Sequence, residues 1–305
     1  MLRLHRHQIH QIRLTPPLQA ELTSTMDVQR AKPFWGAPTS NLNFCEEDYF
    51  VTRYIAEFIN TLSSLVYVAY GIYGLAHGRR NGSRLVSYCG LIGVGVCSAV
   101  YHMTLKYHTQ MSDELSMHLL STPLLHRVLT FNKSEQYTKT AGVVLFVLFT
   151  VVMAAHMLMD EFLLHATTFG FAVYMIATRV MKLIPQQVPD PQTRSNIKKI
   201  ARFGTISFGF GFFVWLIDEW ACGMLNGARQ SVGLPAAFFL ELHGWWHVFT
   251  AIGGYIAVAL VDEITTGEVT ADPIPLLAWP VPLAAKYVLG FTKPEKANGV
   301  YGKTA

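Results

Sequence analysis

The chain has 305 residues, of which 51% are hydrophobic and only 14% are charged. Soluble domains carry about 25% charged residues, so this composition and the long apolar runs indicate a protein that crosses a membrane several times. The net charge of +4 is mild, and without a basic cluster interleaved with aromatic residues no nucleic-acid partner is expected. Four cysteines are too few for a disulfide scaffold.

Residues 1–32 are polar and lack the apolar core of a cleavable signal peptide, so they are predicted to form a disordered tail. The first membrane span would then act as the targeting signal. The tail histidines His5, His7 and His10 are interpreted as structural or solvated.

Residues 33–290 are predicted to fold as a bundle of transmembrane helices, because a spanning helix needs about 20 mostly apolar residues. The expected class is an all-α membrane protein with seven spans. The stretch 274–290 contains three prolines and is predicted to lie at the interface or re-enter the membrane, and 291–305 to form a C-terminal tail. The seven predicted spans are 54–76, 85–107, 113–130, 139–159, 162–183, 201–222 and 242–261.

The distribution of Lys and Arg between the loops predicts the orientation of the bundle. Basic residues concentrate in the loops after the first, third and fifth spans, whereas the other loops hold essentially Arg229, with Lys106 at a helix end. Cytoplasmic loops carry the excess of Lys and Arg. We therefore predict an N-terminus outside the cytosol, or in a lumen, and a cytosolic C-terminus.

This topology brings the polar residues of the spans to one level of the membrane. Ser98 and His102 end the second span, Asp113 opens the third, and His243 and His247 open the seventh. Glu57, Asp218 and Glu219 fall at the same outer level. Polar groups inside a membrane are costly, so each is a candidate functional residue.

His243 and His247 lie four residues apart and so share one face of a helix, which is a spacing that supplies two nitrogens to zinc. With His102 at the same depth, the three histidines and an open fourth position fit a catalytic zinc site that activates water. Asp113 can orient or deprotonate that water, and Ser98 can donate to a developing oxyanion. The alternatives are a packing role for Ser98 and a helix-dipole role for Asp113. His118, His126, His156 and His165 are interpreted as structural or solvated.

The segment 41–57 precedes the first span and carries four oxygen-bearing side chains, those of Asn43, Glu46, Asp48 and Glu57. Hard oxygen ligands of this kind suit calcium, although the spacing is not that of an EF-hand. The alternative is a capped helix start with solvated acids.

Three blocks, "NFCEEDYFVTRYIAEFINTLSS", "CSAVYHMTLKYHTQMSDEL" and "HGWWHVFTAIGGY", resemble the signature blocks of the alkaline ceramidases, and the resemblance extends over residues 33 to 290 in order. Those are seven-span enzymes of the endoplasmic reticulum and Golgi. The resemblance implies a zinc-dependent amide hydrolase that cleaves ceramide, its membrane-embedded lipid substrate, into a sphingoid base and a fatty acid.

The resemblance also implies roles for particular residues. It implies zinc ligands at His102, His243 and His247, and a catalytic pair formed by Ser98 and Asp113. It implies calcium ligation by Asn43, Glu46, Asp48, Glu57 and the backbone carbonyl of Phe44. This chain has Asn43-Phe44 where the family usually has Asp-Trp, and Asp48 where it usually has Asn, so the two changes cancel in charge.

Cys45 and Cys222 both fall on the predicted outer side of the membrane, where oxidation is possible. The family resemblance suggests that they form a disulfide. Cys89 and Cys97 lie within the second span and are interpreted as packing residues.

Two other functions are compatible with intramembrane histidines. The first is a seven-span receptor of the progestin and adiponectin-receptor type, whose N-terminus would lie in the cytosol, against the loop charges found here. The second is a transporter with a proton relay, but no inverted repeat or broken-helix pair supports it. No obligate protein partner is inferred.

Overall fold

A computed structural model describes residues 32–77, 82–159 and 161–290. Within these ranges the chain is helical and contains no strand, apart from one isolated bridge between Thr52 and Ile55. The predicted all-helical fold is therefore confirmed. The predicted disordered tail, except for Lys32, and the predicted C-terminal tail lie outside the described residues.

Seven long helices and one short helix follow one another in the described ranges. Residues 236–240, 274–276 and 281–288 add short helical turns. The helices are α1 Phe58–His77, α2 Gly82–Thr104, α3 Tyr107–Thr130, α4 Glu135–Met159, α5 Phe162–Gln187, α6 Pro191–Trp220, the short α7 Cys222–Val232, and α8 Leu242–Thr265.

Six of the seven long helices in the described ranges, all except α3, are long and apolar enough to cross a membrane. Helix α3 has 24 residues, and at 1.5 Å per residue it spans about 36 Å, which is sufficient for a bilayer core. It is much less apolar because its buried face carries polar side chains, among them Gln110, Glu114 and His118. The seventh span and the orientation therefore stay predictions.

The predicted boundaries were wrong at both ends of the sixth span. The Pro-rich stretch 184–200, between the fifth and sixth predicted spans, supplies the first turns of α6, because Pro191 opens the helix and Asp190 caps it. The Asp190 carboxylate accepts a hydrogen bond from the backbone N–H of Thr193 at 2.6 Å, and a proline fits the first helical position because no N–H is needed there. The stretch 223–241, between the sixth and seventh predicted spans, likewise contains α7 and a 3₁₀ turn.

Helix α8 lies at the centre of the bundle and contacts α1, α2, α3, α5 and α6. In its most apolar window 67% of the residues are buried, against 11% for α4, which lies at the periphery. The contact between α6 and α8 is close, since a Cβ atom on Gly253 would lie only 2.7 Å from the carbonyl oxygen of Gly204. Glycine is thus required where these two backbones meet.

At the end of the bundle where α1 ends and α2 begins, a buried ion-pair network joins three helices. The carboxylate of Asp262 accepts from Arg84 at 3.2 Å and from Arg127 at 3.0 Å. Residues 274–290 fold near this end as short turns rather than one long helix, and the Tyr70 hydroxyl donates to the carbonyl of Trp279 at 3.0 Å. The stretch is packed against the bundle, in agreement with the prediction that it does not form a span.

At the opposite end, the N-terminal segment 32–57 crosses the turn between α2 and α3. The backbone N–H of Glu57 donates to the carbonyl of His102 at 3.0 Å, and that of Thr39 donates to Leu105 at 2.9 Å. The side chain of Gln110 accepts from the backbone N–H of Asn41 at 2.7 Å. This segment therefore covers the end of the bundle that carries the candidate site.

Candidate metal centre

His102, from the end of α2, meets His243 and His247, from the start of α8, in the interior of the bundle. Their candidate ligand nitrogens lie within 4.8 Å of one another, and the ring centroids are separated by 4.7 to 5.0 Å. All three side chains are buried. The spacing of four residues on α8 points both of its imidazoles toward α2, so these three residues can hold a metal ion.

Two of these rings are oriented by hydrogen bonds from one nitrogen. Nδ1 of His102 donates to Glu57 Oε2 at 2.5 Å, and Nδ1 of His247 contacts Ser63 Oγ at 2.8 Å. Each of these bonds leaves Nε2 available. Metal-ligating histidines are typically held in this way, with the second nitrogen fixed by a carboxylate, a hydroxyl or a carbonyl.

The third ring offers an independent test of whether a metal fits. His243 is buried, and its Nδ1 has no hydrogen-bond partner among the described residues. The ring of Phe44 stacks on it with a centroid separation of 3.6 Å. A buried nitrogen without a partner is costly, and a cation held among three neutral imidazoles would satisfy it.

The two predicted catalytic residues lie on the helices that surround this centre. Ser98 is buried, and its Oγ lies 3.4 Å from Nε2 of His247 and 3.0 Å from Ser64 Oγ. Asp113 is half-buried on α3, the helix that follows α2 in the chain and packs against it.

The predicted calcium segment joins the histidine centre through Glu57. The Glu57 carboxylate accepts from the backbone N–H of Phe44 at 3.2 Å and from the Asn60 side chain at 3.0 Å, besides His102. Glu46 instead accepts from the backbone N–H groups of Ile59 and Asn60, at 2.7 and 2.9 Å, at the start of α1.

The remaining side chains of the segment form a separate pair, in which Asn43 donates to Asp48 Oδ2 at 3.3 Å. Among the described residues, the carboxylates of Glu46, Asp48 and Glu57 do not form a group with all ligand atoms within 4.8 Å. The donor set consists of oxygen atoms, as calcium prefers. A calcium ion bound by all of them would require the side chains to turn from their present hydrogen bonds.

Burial of this acidic segment raises the proton affinity of its carboxylates. Burial raises the pKa of Glu46 to about 8 and that of Glu57 to about 7. In both cases the loss of hydration outweighs the backbone and side-chain hydrogen bonds that the carboxylate accepts, because a charge is disfavoured away from water. The alternative of a capped helix start with solvated acids holds for the cap, because Glu46 accepts from the first N–H groups of α1, but Glu46 and Glu57 are buried rather than solvated.

Cys45 and Cys222 form a disulfide with their Cα atoms 5.3 Å apart. Two further residues reinforce this connection: Asp218, a candidate functional residue from the sequence, and Arg229, which was not among the predicted site residues. Asp218 accepts from the backbone N–H of Cys45 at 3.0 Å and of His243 at 3.3 Å, and Arg229 donates to the Cys45 carbonyl at 2.9 Å. A charged residue at the end of a span, and a lone Arg in an otherwise uncharged outer loop, were the signals available in the sequence.

Burial favours the structural alternative for three of the four span histidines that were interpreted as structural or solvated. His118, His156 and His165 are buried rather than solvated, and His156 and His165 form a second group with Glu114 whose ligand atoms lie within 4.8 Å of one another. His126 is half-buried and contacts the carbonyl of Thr138 at 3.1 Å.

The chain is similar in sequence to proteins of known family. A family model described as Ceramidase matches residues 36–288, which include every predicted site residue. The chain is 31% identical to Alkaline ceramidase YPC1 of Saccharomyces cerevisiae, over 75% of this chain and 78% of that protein. It is 28% identical to Alkaline ceramidase 3 of Mus musculus, over 74% and 84% of the two chains. It is 29% identical to Putative alkaline ceramidase dcd3B of Dictyostelium discoideum, over 73% and 85%. These similarities do not favour the receptor interpretation.

Proposed function

The chain belongs to the ceramidase family, and we propose that it hydrolyses the amide bond of ceramide within the membrane, with zinc as its catalytic metal. The products are a sphingoid base and a free fatty acid. The observation that carries the proposal is the buried group of His102, His243 and His247, which lies inside the matched region.

His102, His243 and His247 are the residues that would hold the zinc ion. Bound zinc supplies a Lewis acid that polarises the amide carbonyl and makes water nucleophilic at neutral pH. Glu57 and Ser63 hold the rings of His102 and His247 in the tautomer whose proton is on Nδ1, so that the lone pair of Nε2 can bind a metal ion. The protein thereby fixes both ligand nitrogens before the substrate arrives.

In this proposal Asp113 acts as the general base and then as the general acid. Its carboxylate accepts a proton from water as the water oxygen attacks the amide carbon, and returns it to the nitrogen as the C–N bond breaks. Ser98 donates its hydroxyl proton in a hydrogen bond to the oxygen of the tetrahedral intermediate. The position of Ser98 Oγ beside His247 Nε2 supports this role.

We propose calcium as a second, structural ion, held by Asn43, Glu46, Asp48, Glu57 and the carbonyl of Phe44. The oxygen-rich donor set and the burial of two carboxylates support this, because a cation offsets the cost of burying acidic groups. The disulfide between Cys45 and Cys222 holds the same segment against the end of α6.

Seven spans, with the N-terminus outside the cytosol or in a lumen and the C-terminus in the cytosol, complete the proposal, in a membrane of the endoplasmic reticulum or Golgi. The length of α3 supports the seventh span. The loop charges support the orientation. In that orientation the histidine centre faces the lumen.

The proposal is tested with the His243→Gln variant and a matched control, His108→Gln, which changes an exposed histidine near the same end of the bundle. His243→Gln should lose tightly bound zinc and hydrolysis of a fluorescent or isotope-labelled ceramide, whereas His108→Gln should keep both. Zinc is measured by mass spectrometry on the purified protein and products by lipid chromatography. Ceramide hydrolysis by zinc-free His243→Gln would refute the mechanism.

A further inference from the structure

A second buried cluster lies near the same end of the bundle, between α3, α4 and α5. It consists of Glu114, His156 and His165, one from each helix, with ligand atoms within 4.8 Å of one another. His118, one turn further along α3, lies beside it, with its ring centroid 5.2 Å from that of His165. All four side chains are more than nine-tenths buried, and none belongs to the catalytic centre proposed above.

The hydrogen bonds around His156 show that Glu114 and His156 must share either a proton or a metal ion. Nδ1 of His156 lies 3.1 Å from the carbonyl oxygen of Glu161, so Nδ1 carries the proton and donates it. The other nitrogen, Nε2, contacts Glu114 Oε2. A neutral imidazole nitrogen and a carboxylate oxygen are both acceptors, so they attract each other only when a proton or a metal ion lies between them.

The two other imidazoles also point to a ligand that is larger than a proton. Nδ1 of His165 and Nε2 of His118 are buried without a hydrogen-bond partner among the described residues. A proton shared by Glu114 and His156 would leave both of these nitrogens unsatisfied. A metal ion in the cluster would use the lone pair of His165, and the ring of His118 lies beside that ligand, with the two centroids 5.2 Å apart.

The surroundings of the cluster are those of a structural metal site. Gln110 donates to Glu114 Oε1 at 3.0 Å, and the Glu161 carbonyl orients His156, so both ligands are held from behind. The rings of Phe162 and Phe169 pack against His165 and His118. Imidazoles with one carboxylate suit zinc and similar divalent ions, and the apolar rings close the site.

We propose that Glu114, His156 and His165, with His118 as the fourth ligand, bind a second divalent transition-metal ion that joins the peripheral α4 to α3 and α5. Helix α4, all of whose residues the structure describes, has two buried residues, Met153 and His156. Few apolar contacts therefore hold this helix, and a coordinate bond through His156 would supply a specific attachment.

The test counts zinc ions bound to the full-length protein in detergent after removal of loosely bound metal with a chelating resin. Wild type should retain about two zinc ions per chain, and the variants His243→Gln and His156→Gln/His165→Gln about one each. The combination of all three substitutions should retain none. His126→Gln, on the same α3 helix but outside the cluster, is the matched control and should retain two.

The proposal is overturned if wild type binds a single zinc ion that His156→Gln/His165→Gln keeps and His243→Gln loses. Glu114 and His156 would then form a charged hydrogen-bonded pair without metal. If the double variant does not fold, cobalt titration of folded His243→Gln decides the question. One tightly bound cobalt ion with the absorption of a tetrahedral site supports the proposal, and the absence of bound cobalt overturns it.

Discussion

The two buried histidine clusters occupy the same end of the bundle, yet their neighbours differ in kind. Around His102, His243 and His247 lie hydroxyl groups, those of Ser63, Ser64 and Ser98, a segment rich in carboxylates and the ring of Phe44. Around Glu114, His156 and His165 lie aromatic rings and one carboxylate that is itself a candidate ligand. Hydroxyl groups beside a metal can donate to a reacting carbonyl, whereas aromatic rings offer no such donor. In both proposals the ligands indicate a metal site, while the hydroxyl groups distinguish the proposed catalytic site from the proposed structural one.

The sharpest test of this comparison uses two adjacent residues of α3. Asp113→Asn should lower the rate of ceramide hydrolysis by roughly 10² to 10⁴-fold, because the general base is lost, and should leave the zinc content unchanged. Glu114→Gln should lower activity much less but reduce the bound zinc by about one ion per chain. Both variants are assayed for ceramide products and for metal on the same preparation.

If both substitutions abolished activity while the zinc content stayed the same, the assignment of neighbouring carboxylates to different clusters would be wrong. Ser112→Ala serves as the control, since Ser112 is exposed on the same turn of α3 and its hydroxyl bonds only to the backbone of its own helix, at the carbonyl of His108.

A smaller effect is expected from Glu57, which accepts a hydrogen bond from the proposed zinc ligand His102. Glu57→Gln should weaken zinc binding at that centre by roughly 10 to 100-fold, because a neutral amide holds Nδ1 of His102 less firmly than a carboxylate does. Competition with a chromogenic chelator measures the dissociation constant. Glu46→Gln changes the same segment without touching a histidine and should leave the zinc affinity close to that of wild type. Equal weakening by both variants would contradict the orienting role of Glu57.

The smallest effect concerns the response of the acidic segment 41–57 to pH. In calcium-free protein the pKa of Glu46 is raised from 4.5 to about 8 by burial, so the fold favours the neutral carboxyl. Its contribution to the free energy of unfolding is fully present below pH 4.5 and is lost as the pH rises through about 8.

Thermal unfolding of chelator-treated protein between about pH 5 and pH 9 measures this contribution. Wild type should lose thermal stability as the pH rises, and added calcium should restore it because calcium binds the ionised carboxylates. Glu46→Gln should flatten the pH dependence, whereas Glu47→Gln, at the exposed neighbouring position, should not. A stability of wild type that rises over this pH range would contradict the assigned protonation state.

The same contrast explains which features could be predicted from the sequence. His243 and His247 form a local pattern on one helix, and His102 follows from topology, because alternating helices return their ends to the same level. Glu114, His156 and His165 each come from a different helix, with no repeated spacing between them. Their contact depends on how α3, α4 and α5 rotate and pack, which local patterns do not encode.

Apolar composition located the long helices, but the details at their ends depended on individual residues. Pro191 and Asp190 turned a predicted linker into the start of α6, a standard combination of cap and first-turn proline. Helix α3 is less apolar than the others because its buried face carries polar residues, among them Glu114 and His118 at the second cluster. The contacts of Asp218 and Arg229 with Cys45 could not be predicted, since they join residues that are far apart in the chain.

The proposed zinc ligands come from the second and the last of the long helices in the described ranges, and Glu57, which orients His102, precedes the first. A nascent chain that has inserted α1 to α6 therefore carries His102 but neither of its partners. Hydrolytic competence would arise only when α8 enters the membrane, after every other long helix is in place. If the proposed ligands are correct, a chain that terminates before α8 would be inert toward the lipids of the membrane in which it is made.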